Sequence, residues 1–326
     1  MELFGYLGIM SLSIIFSFKR DVISSSRAFF VFWITAYTSL ILVVRNTFDS
    51  DINTYAAAMS QSSLSIYYLK EPVVWLGQRY LFSWLQNPFF VFVISDLLAG
   101  LLLFRAFKNF NLPQYAFFSV LIFFPFTLGI QNIYRQWIAT IILLYCFSLA
   151  WNNTKSINKY IAFTLSVMSH NVAAIFVPLL FIRNKHVLGK LMWYGSCLIG
   201  LAGIKFGAGS KSSANTGSDL TLVYLFLITF FIMLVPLLDR GVIRKLRRLE
   251  YKLLCLLFLL SSCSIIFLSS AGAERVSMFC LMIAYPILVL LFEDRFKQKL
   301  LMRTVFSVLG FIPMLLFGVS IFILVS

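Results

Sequence analysis

Apolar runs recur from one end of the chain to the other, each bounded by a short polar interval. The runs long enough to form membrane segments lie at about residues 3–18, 28–44, 88–104, 114–131, 136–151, 158–182, 191–204, 220–238, 253–270, 276–292 and 304–325. A span of about 20 apolar residues crosses a bilayer as a helix, and helices alone among open structures satisfy their own backbone in lipid. The pattern therefore predicts an all-α, polytopic integral membrane protein with about 11–12 membrane segments in a single transmembrane domain over residues 1–326. The amino-terminal run, without a basic stretch before it or a small-residue cleavage pattern after it, reads as a retained first helix and not a signal peptide.

Basic residues are confined to particular intervals, and this orients the helices. Six loops, at 19–27, 105–108, 155–159, 183–190, 239–252 and 295–303, hold 20 of the 27 lysines and arginines. Placed in the cytoplasm, as charge asymmetry requires, they let every segment alternate sides except 158–182, which has a basic loop at both ends. Two arms within those 25 residues, meeting at Ser169, His170 and Asn171, reconcile the count. The prediction is a broken or re-entrant hairpin with His170 at its outward tip; a single tilted helix with one basic loop outside is the competing reading. The outer side then carries the long polar interval 45–87 and a Gly/Ser-rich loop over 205–219.

Composition agrees with the pattern and narrows the classes. Of 326 residues, 60% are hydrophobic and 12% charged, with a mean hydropathy of +0.91. A soluble domain is about 25% charged, so a soluble enzyme is excluded. The net charge of +15 follows from the cytoplasmic loops and names no nucleic-acid partner. Five cysteines in apolar stretches, odd in number and without a CxxC pair, indicate neither a disulfide framework nor a zinc site.

Chemistry has to come from the few polar residues at the outer ends of helices. Arg45, Arg135 and Arg275 stand there, and His170 joins them under the hairpin reading. A guanidinium at a partly dehydrated helix end grips a phosphate bidentately, which favours an anionic ligand. The structural alternative is a bridge from Glu274 to Arg135 or Arg275. Asp49 and Asp51 follow Arg45 in RNTFDSDINTY. Two carboxylates alone make a weak divalent site, so no metal is expected, and capping of the helix INTYAAAM by Asp51 is the simpler role. His170 is either a hydrogen-bonding residue or a proton carrier. Asp96, in the middle of a span, reads as an acceptor for a neighbouring helix before a proton path. In EPVVWLGQRYLFSWL, Val73, Leu76, Tyr80 and Trp84 share a helical face that suits the membrane interface, or simple packing.

The ordered elements SDINTY, EPVVW, NIYRQWIA, MSHNVAAIF and AERVSMF, over about residues 40–290, resemble the EpsG family of bacterial exopolysaccharide and O-antigen assembly. Some members of that family are described as Wzy-type polymerases. The resemblance implies Arg45, Asp51, Tyr55, Glu71, Arg135, Gln136, His170, Glu274 and Arg275 as the positions of interest. Ser50 stands where a glycine is common, and Asn53 to Tyr55 follow the family pattern loosely. The implied activity is a cofactor-free, metal-independent membrane glycosyltransferase of the bacterial plasma (inner) membrane. It would join undecaprenyl-pyrophosphate-linked repeat units on the outer face, with Asp51 or His170 as the base and the arginines on the pyrophosphate. Its partners would be the lipid-linked oligosaccharide, membrane lipids, a chain-length regulator and a flippase. Three rival classes are a lipid-linked oligosaccharide flippase, a membrane O-acyltransferase and a purely structural scaffold. A flippase should line a central cavity with cations, whereas here they gather on one face. An acyltransferase needs a histidine-centred site that receives an acyl donor from the cytoplasm, against which the outward reading of His170 argues, and a scaffold leaves the arginines unexplained.

Overall fold

The computed structural model describes residues 2–46, 51–61, 66–152, 156–183, 187–207, 223–230, 248–295 and 297–313. Asp49, Ser50, His186, the Gly/Ser-rich run from 208 to 219 and most of the basic loop 239–252 lie outside these residues, as do all but 223–230 of the span expected at 220–238 and the end of the one at 304–325. All regular structure among the described residues is helical, and six apolar stretches are long enough to cross a membrane, so the chain is a polytopic all-α membrane protein. It divides into two compact, interleaved units. The first comprises 1–142, 168–171 and 296–326, and the second 143–167 and 172–295.

In the first unit, α1 (Glu2–Ser17), α2 (Ser26–Val44) and α5 (Pro88–Asn109) match the predicted segments within a few residues. Their starts are specified locally. The Ser25 hydroxyl accepts the Ala28 N–H at 3.3 Å, and the Asn87 side chain accepts the Phe89 N–H at 2.9 Å ahead of Pro88. The outer interval holds α3 (Asp51–Ser60), a 3-10 turn (Ile66–Lys70) and α4 (Pro72–Leu85). Gln86, with φ of 51°, caps α4 in the left-handed conformation and turns the chain directly into α5.

The segment expected as one helix over 114–131 is instead two, α6 (Gln114–Ser119) and α7 (Phe124–Asn132). Pro125 has no N–H, and its ring would clash with the carbonyl of residue 121 in a continuous helix. Irregular backbone at this depth survives because the whole segment is enclosed by protein. At the break between the two helices, the Phe124 N–H bonds the Gly310 carbonyl at 2.9 Å.

An aromatic core joins α2, α5 and α6. Phe29, Phe104 and Phe117 pack at 5.1–5.9 Å between ring centres, Trp33 stacks on Tyr37 at 5.1 Å, and the Trp33 indole donates to the Phe117 carbonyl at 2.8 Å. Gly100 is required here, because a Cβ would stand 2.3 Å from the Tyr37 ring. At the basic ends of these helices, Lys108 bonds Ser26 at 2.9 Å, and Gln114 pairs with both backbone groups of Ile23 at 3.0 and 2.6 Å.

The helix Lys299–Leu309 is tied back to α1 by Ser307 to Ser13 at 2.7 Å and by Arg303 to the Ser17 carbonyl at 3.1 Å.

α8 (Tyr134–Trp151) is followed by α9 (Asn158–Ser169), a break at His170 and a 3-10 run (Asn171–Phe181). At 1.5 and 2.0 Å of rise per residue the two arms reach only about 18 and 22 Å, short of a bilayer core of about 30 Å. Within the second unit both arms return to the last turns of α8. The Cys146 thiol bonds the Lys159 carbonyl at 3.1 Å, and the Arg183 guanidinium lies 4.6 Å from the Trp151 ring. The hairpin predicted from charge is therefore present. α10 (Val187–Gly207) approaches its second arm closely, since a Cβ on Gly200 would meet the Ile175 carbonyl at 2.7 Å. The helix Ser270–Arg295, buried along most of its length, stacks Phe279 on Phe176 at 5.3 Å and bonds Ser277 to Ser261 at 2.7 Å. The five cysteines are free thiols.

Candidate active site

Two polar layers lie in the first unit, and the deeper one supports the other. Arg45, which caps the end of α2, reaches Asp96 on α5 with both arms of its guanidinium, Nε to Oδ2 at 2.7 Å and Nη2 to Oδ1 at 3.2 Å. The Tyr134 hydroxyl donates to the same carboxylate at 2.8 Å, and the Tyr37 hydroxyl donates to the Asp96 carbonyl at 2.9 Å. The rings of Tyr134 and Phe92 flank the Arg45 guanidinium at 4.9 and 5.3 Å. The two charged side chains are 1% and 0% exposed. A buried ion pair needs further hydrogen bonds to its polar groups, and the Tyr134 hydroxyl supplies one to the carboxylate. Asp96 thus accepts from neighbouring helices, as its position in a span suggests. Arg45, expected on the pyrophosphate, has its guanidinium forked onto Asp96 and closed off from solvent.

The network fixes Tyr134, and Tyr134 places its neighbour. α7 ends at Asn132, and Ile133 leaves the helical region with φ of −126° and ψ of 56° before α8 begins. The side chain after Tyr134 is Arg135. Its Nη1 pairs with Glu71 at the start of α4, its Nε donates to the Tyr55 hydroxyl of α3 at 3.0 Å, and the Trp75 ring lies 4.9 Å from its guanidinium carbon. Tyr55 and Trp75 are in ring contact at 5.1 Å, and Tyr68 touches Trp75 at 4.9 Å. The other oxygen of Glu71 is 3.9 Å from His170 Nε2 at the hairpin tip. The Arg135 and Glu71 side chains retain 15% and 9% exposure, which leaves the pair approachable.

Four residues implied by the sequence, Tyr55, Glu71, Arg135 and His170, thus converge from segments up to 115 positions apart. Gln136 is buried next in the chain to Arg135. Asp51 opens α3, within one residue of the cap position expected for it, and its side chain is outside the described residues. Glu274 and Arg275 are half-buried in the second unit, near the start of the helix Ser270–Arg295.

Trp75 and Tyr134 were not singled out by the sequence. Trp75 follows Glu71 by four residues and so shares its face of α4, a spacing that marks it as a neighbour. Tyr134 has no such signal, because its partners come from α2 and α5. Gln78, one turn beyond Trp75, is 4% exposed, and neither amide atom has a hydrogen-bond partner. The aromatic stripe of α4 faces outward as an interfacial helix requires, with Tyr80 65% and Trp84 73% exposed.

A guanidinium held between aromatic rings is oriented for a planar anion, and a carboxylate near an imidazole is equipped to move a proton. Among the described residues no three histidine, cysteine, aspartate or glutamate side chains gather as a metal group.

Among known proteins, a family model described as the EpsG family matches residues 30–324. No curated protein and no solved structure matches the chain.

Proposed function

The chain belongs to the EpsG family, and from that premise we propose that it is a polysaccharide polymerase acting on undecaprenyl-pyrophosphate-linked repeat units at the outer face of the bacterial plasma membrane. Membership supports a role in polysaccharide biosynthesis and the six apolar spans support a multi-pass membrane protein. The observation that carries the reaction is the convergence of Arg135, Tyr55, Glu71 and His170 at one partly open point.

In this reading Arg135 holds the pyrophosphate of the donor. A planar fork matches phosphate oxygens and stabilises the charge that grows on them as the glycosidic bond to the lipid carrier breaks. Tyr55 and Trp75 keep that fork oriented. The attacking sugar hydroxyl must lose its proton, and His170, with Asp51 as the second candidate, is the base that the sequence offers. Arg45 with Asp96 acts as a positioning pair beneath the site. Arg275, Glu274 and Gln136 belong to the proposal on the resemblance alone. The lipid-linked oligosaccharide is the substrate, and a chain-length regulator and a flippase are its expected partners.

An in-frame deletion followed by a glycan gel tests the proposal. A strain without a polymerase keeps single repeat units and loses the ladder, and a plasmid copy carrying Arg135→Ala fails to restore it at normal expression. Absence of even single exported repeats would instead identify a flippase.

A further inference from the structure

Glu71 occupies the position of a helix cap yet caps nothing, since no hydrogen bond joins its side chain to α4. Its carboxylate is turned instead onto Arg135, with the free oxygen toward His170 at 3.9 Å. Carboxylate and phosphate offer a guanidinium the same pair of oxygens. A carboxylate already seated on Arg135 therefore stands where one edge of a diphosphate would bind. Among the described residues its carboxylate pairs with Arg135 and approaches His170, at 9% exposure, and Arg135 is 15% exposed.

Building on the polymerase reading, we propose that Glu71 holds the place of the donor pyrophosphate on Arg135 and, when the diphosphate displaces it, takes the general-base role in place of His170, which receives the proton from it. The diphosphate carries more charge and more acceptor oxygens than one carboxylate, so it wins the guanidinium. Glu71, released, is left beside the reacting centre with an unshared negative charge. It takes the proton of the acceptor hydroxyl as that oxygen bonds to the anomeric carbon. The bond from the anomeric carbon to the phosphate oxygen breaks with its electron pair remaining on the undecaprenyl pyrophosphate, which Arg135 retains. The proton then passes from Glu71 to His170. Binding of the donor thus arms the base, and an empty site keeps it neutralised.

The exchange makes opposite demands on binding and turnover, which a purely structural ion pair does not. Protein purified in nanodiscs is titrated with inorganic pyrophosphate, and the same variants are scored by glycan ladder. Glu71→Gln removes the competing anion and should tighten pyrophosphate binding about two- to fivefold, the range of a partly exposed charge pair. It should also slow polymerisation roughly a hundredfold or more, as loss of a general base does. Weaker or unchanged binding in Glu71→Gln overturns the exchange. Should that variant fail to elute as a folded protein, Glu71→Asp replaces it, with the carboxylate drawn back by one methylene. Tighter binding with a slower but surviving ladder is expected there, and unchanged binding overturns the proposal. Arg135→Ala should abolish pyrophosphate binding. If the wild-type protein does not bind pyrophosphate, or Arg135→Ala still does, the polymerase site itself is misplaced and the exchange falls with it.

Discussion

Replacing Asp96 with leucine would strand a buried guanidinium. Arg45 loses both of its charge-assisted bonds to the carboxylate, at 2.7 and 3.2 Å, and Tyr134 loses its acceptor at 2.8 Å. With the Arg45 side chain 1% exposed, water cannot replace them without local opening. Removing one partner of such a pair destabilises by about 3–5 kcal/mol, whereas exchanging both for apolar side chains of similar size is nearly neutral. Asp96→Leu should therefore lower the melting temperature by roughly 6–12 °C, taking about 2 °C per kcal/mol or slightly more for a chain of this size. Arg45→Met combined with Asp96→Leu should recover most of that loss. The assay is thermal unfolding of the detergent-purified protein followed by size-exclusion recovery, with the glycan ladder scored in parallel. The double variant should keep a ladder, though a weaker one, because Tyr134 loses its acceptor while, on the positioning reading, Arg45 makes no substrate contact. A double variant as unstable as Asp96→Leu alone would refute the ion-pair argument. A stable double variant without any ladder would refute a merely supporting role for the pair and make it essential to the reaction.

Three other predictions address packing, topology and substrate contact. Gly100→Ala sets a methyl group 2.3 Å from the Tyr37 ring and should push its hydroxyl off the Asp96 carbonyl, at a cost of about 1–3 kcal/mol seen as a lower melting temperature. A melting curve unchanged from wild type would show that α2 and α5 separate freely. Cysteine at the exposed Asn171, in a background lacking the five native thiols, should react with an impermeant reagent in intact spheroplasts, and cysteine at the exposed Ile157 only after lysis. The reverse order would invert the topology. Arg135→Lys keeps the charge but loses the fork to Tyr55 and Glu71, and should slow the ladder about ten- to a hundredfold, the equivalent of about 1.5–3 kcal/mol for a charge-assisted bond. A wild-type ladder at equal expression would make Arg135 an ordinary interfacial cation.

The all-α, multi-pass character of the chain, the bounds of α1, α2 and α5 within a few residues, and the hairpin at His170 were legible from sequence. Hydrophobic run length and loop charge act segment by segment, because the bilayer tests each stretch of chain by itself. The helix start at Pro88 and the stop at Gln86 are local in the same sense, set by caps and turns. Pairing is different. That Arg45 meets Asp96, 51 positions away, while Arg135 meets Glu71, 64 positions away, follows from which helix ends pack together. The same two arginines, alike in the sequence as cations at outer helix ends, thereby take unlike roles. One is sealed against Asp96 at 1% exposure, and the other keeps 15% exposure beside Glu71. Burial decides the difference, because a guanidinium withdrawn from water must be fully satisfied by protein, while one at the surface can exchange its partner for a ligand.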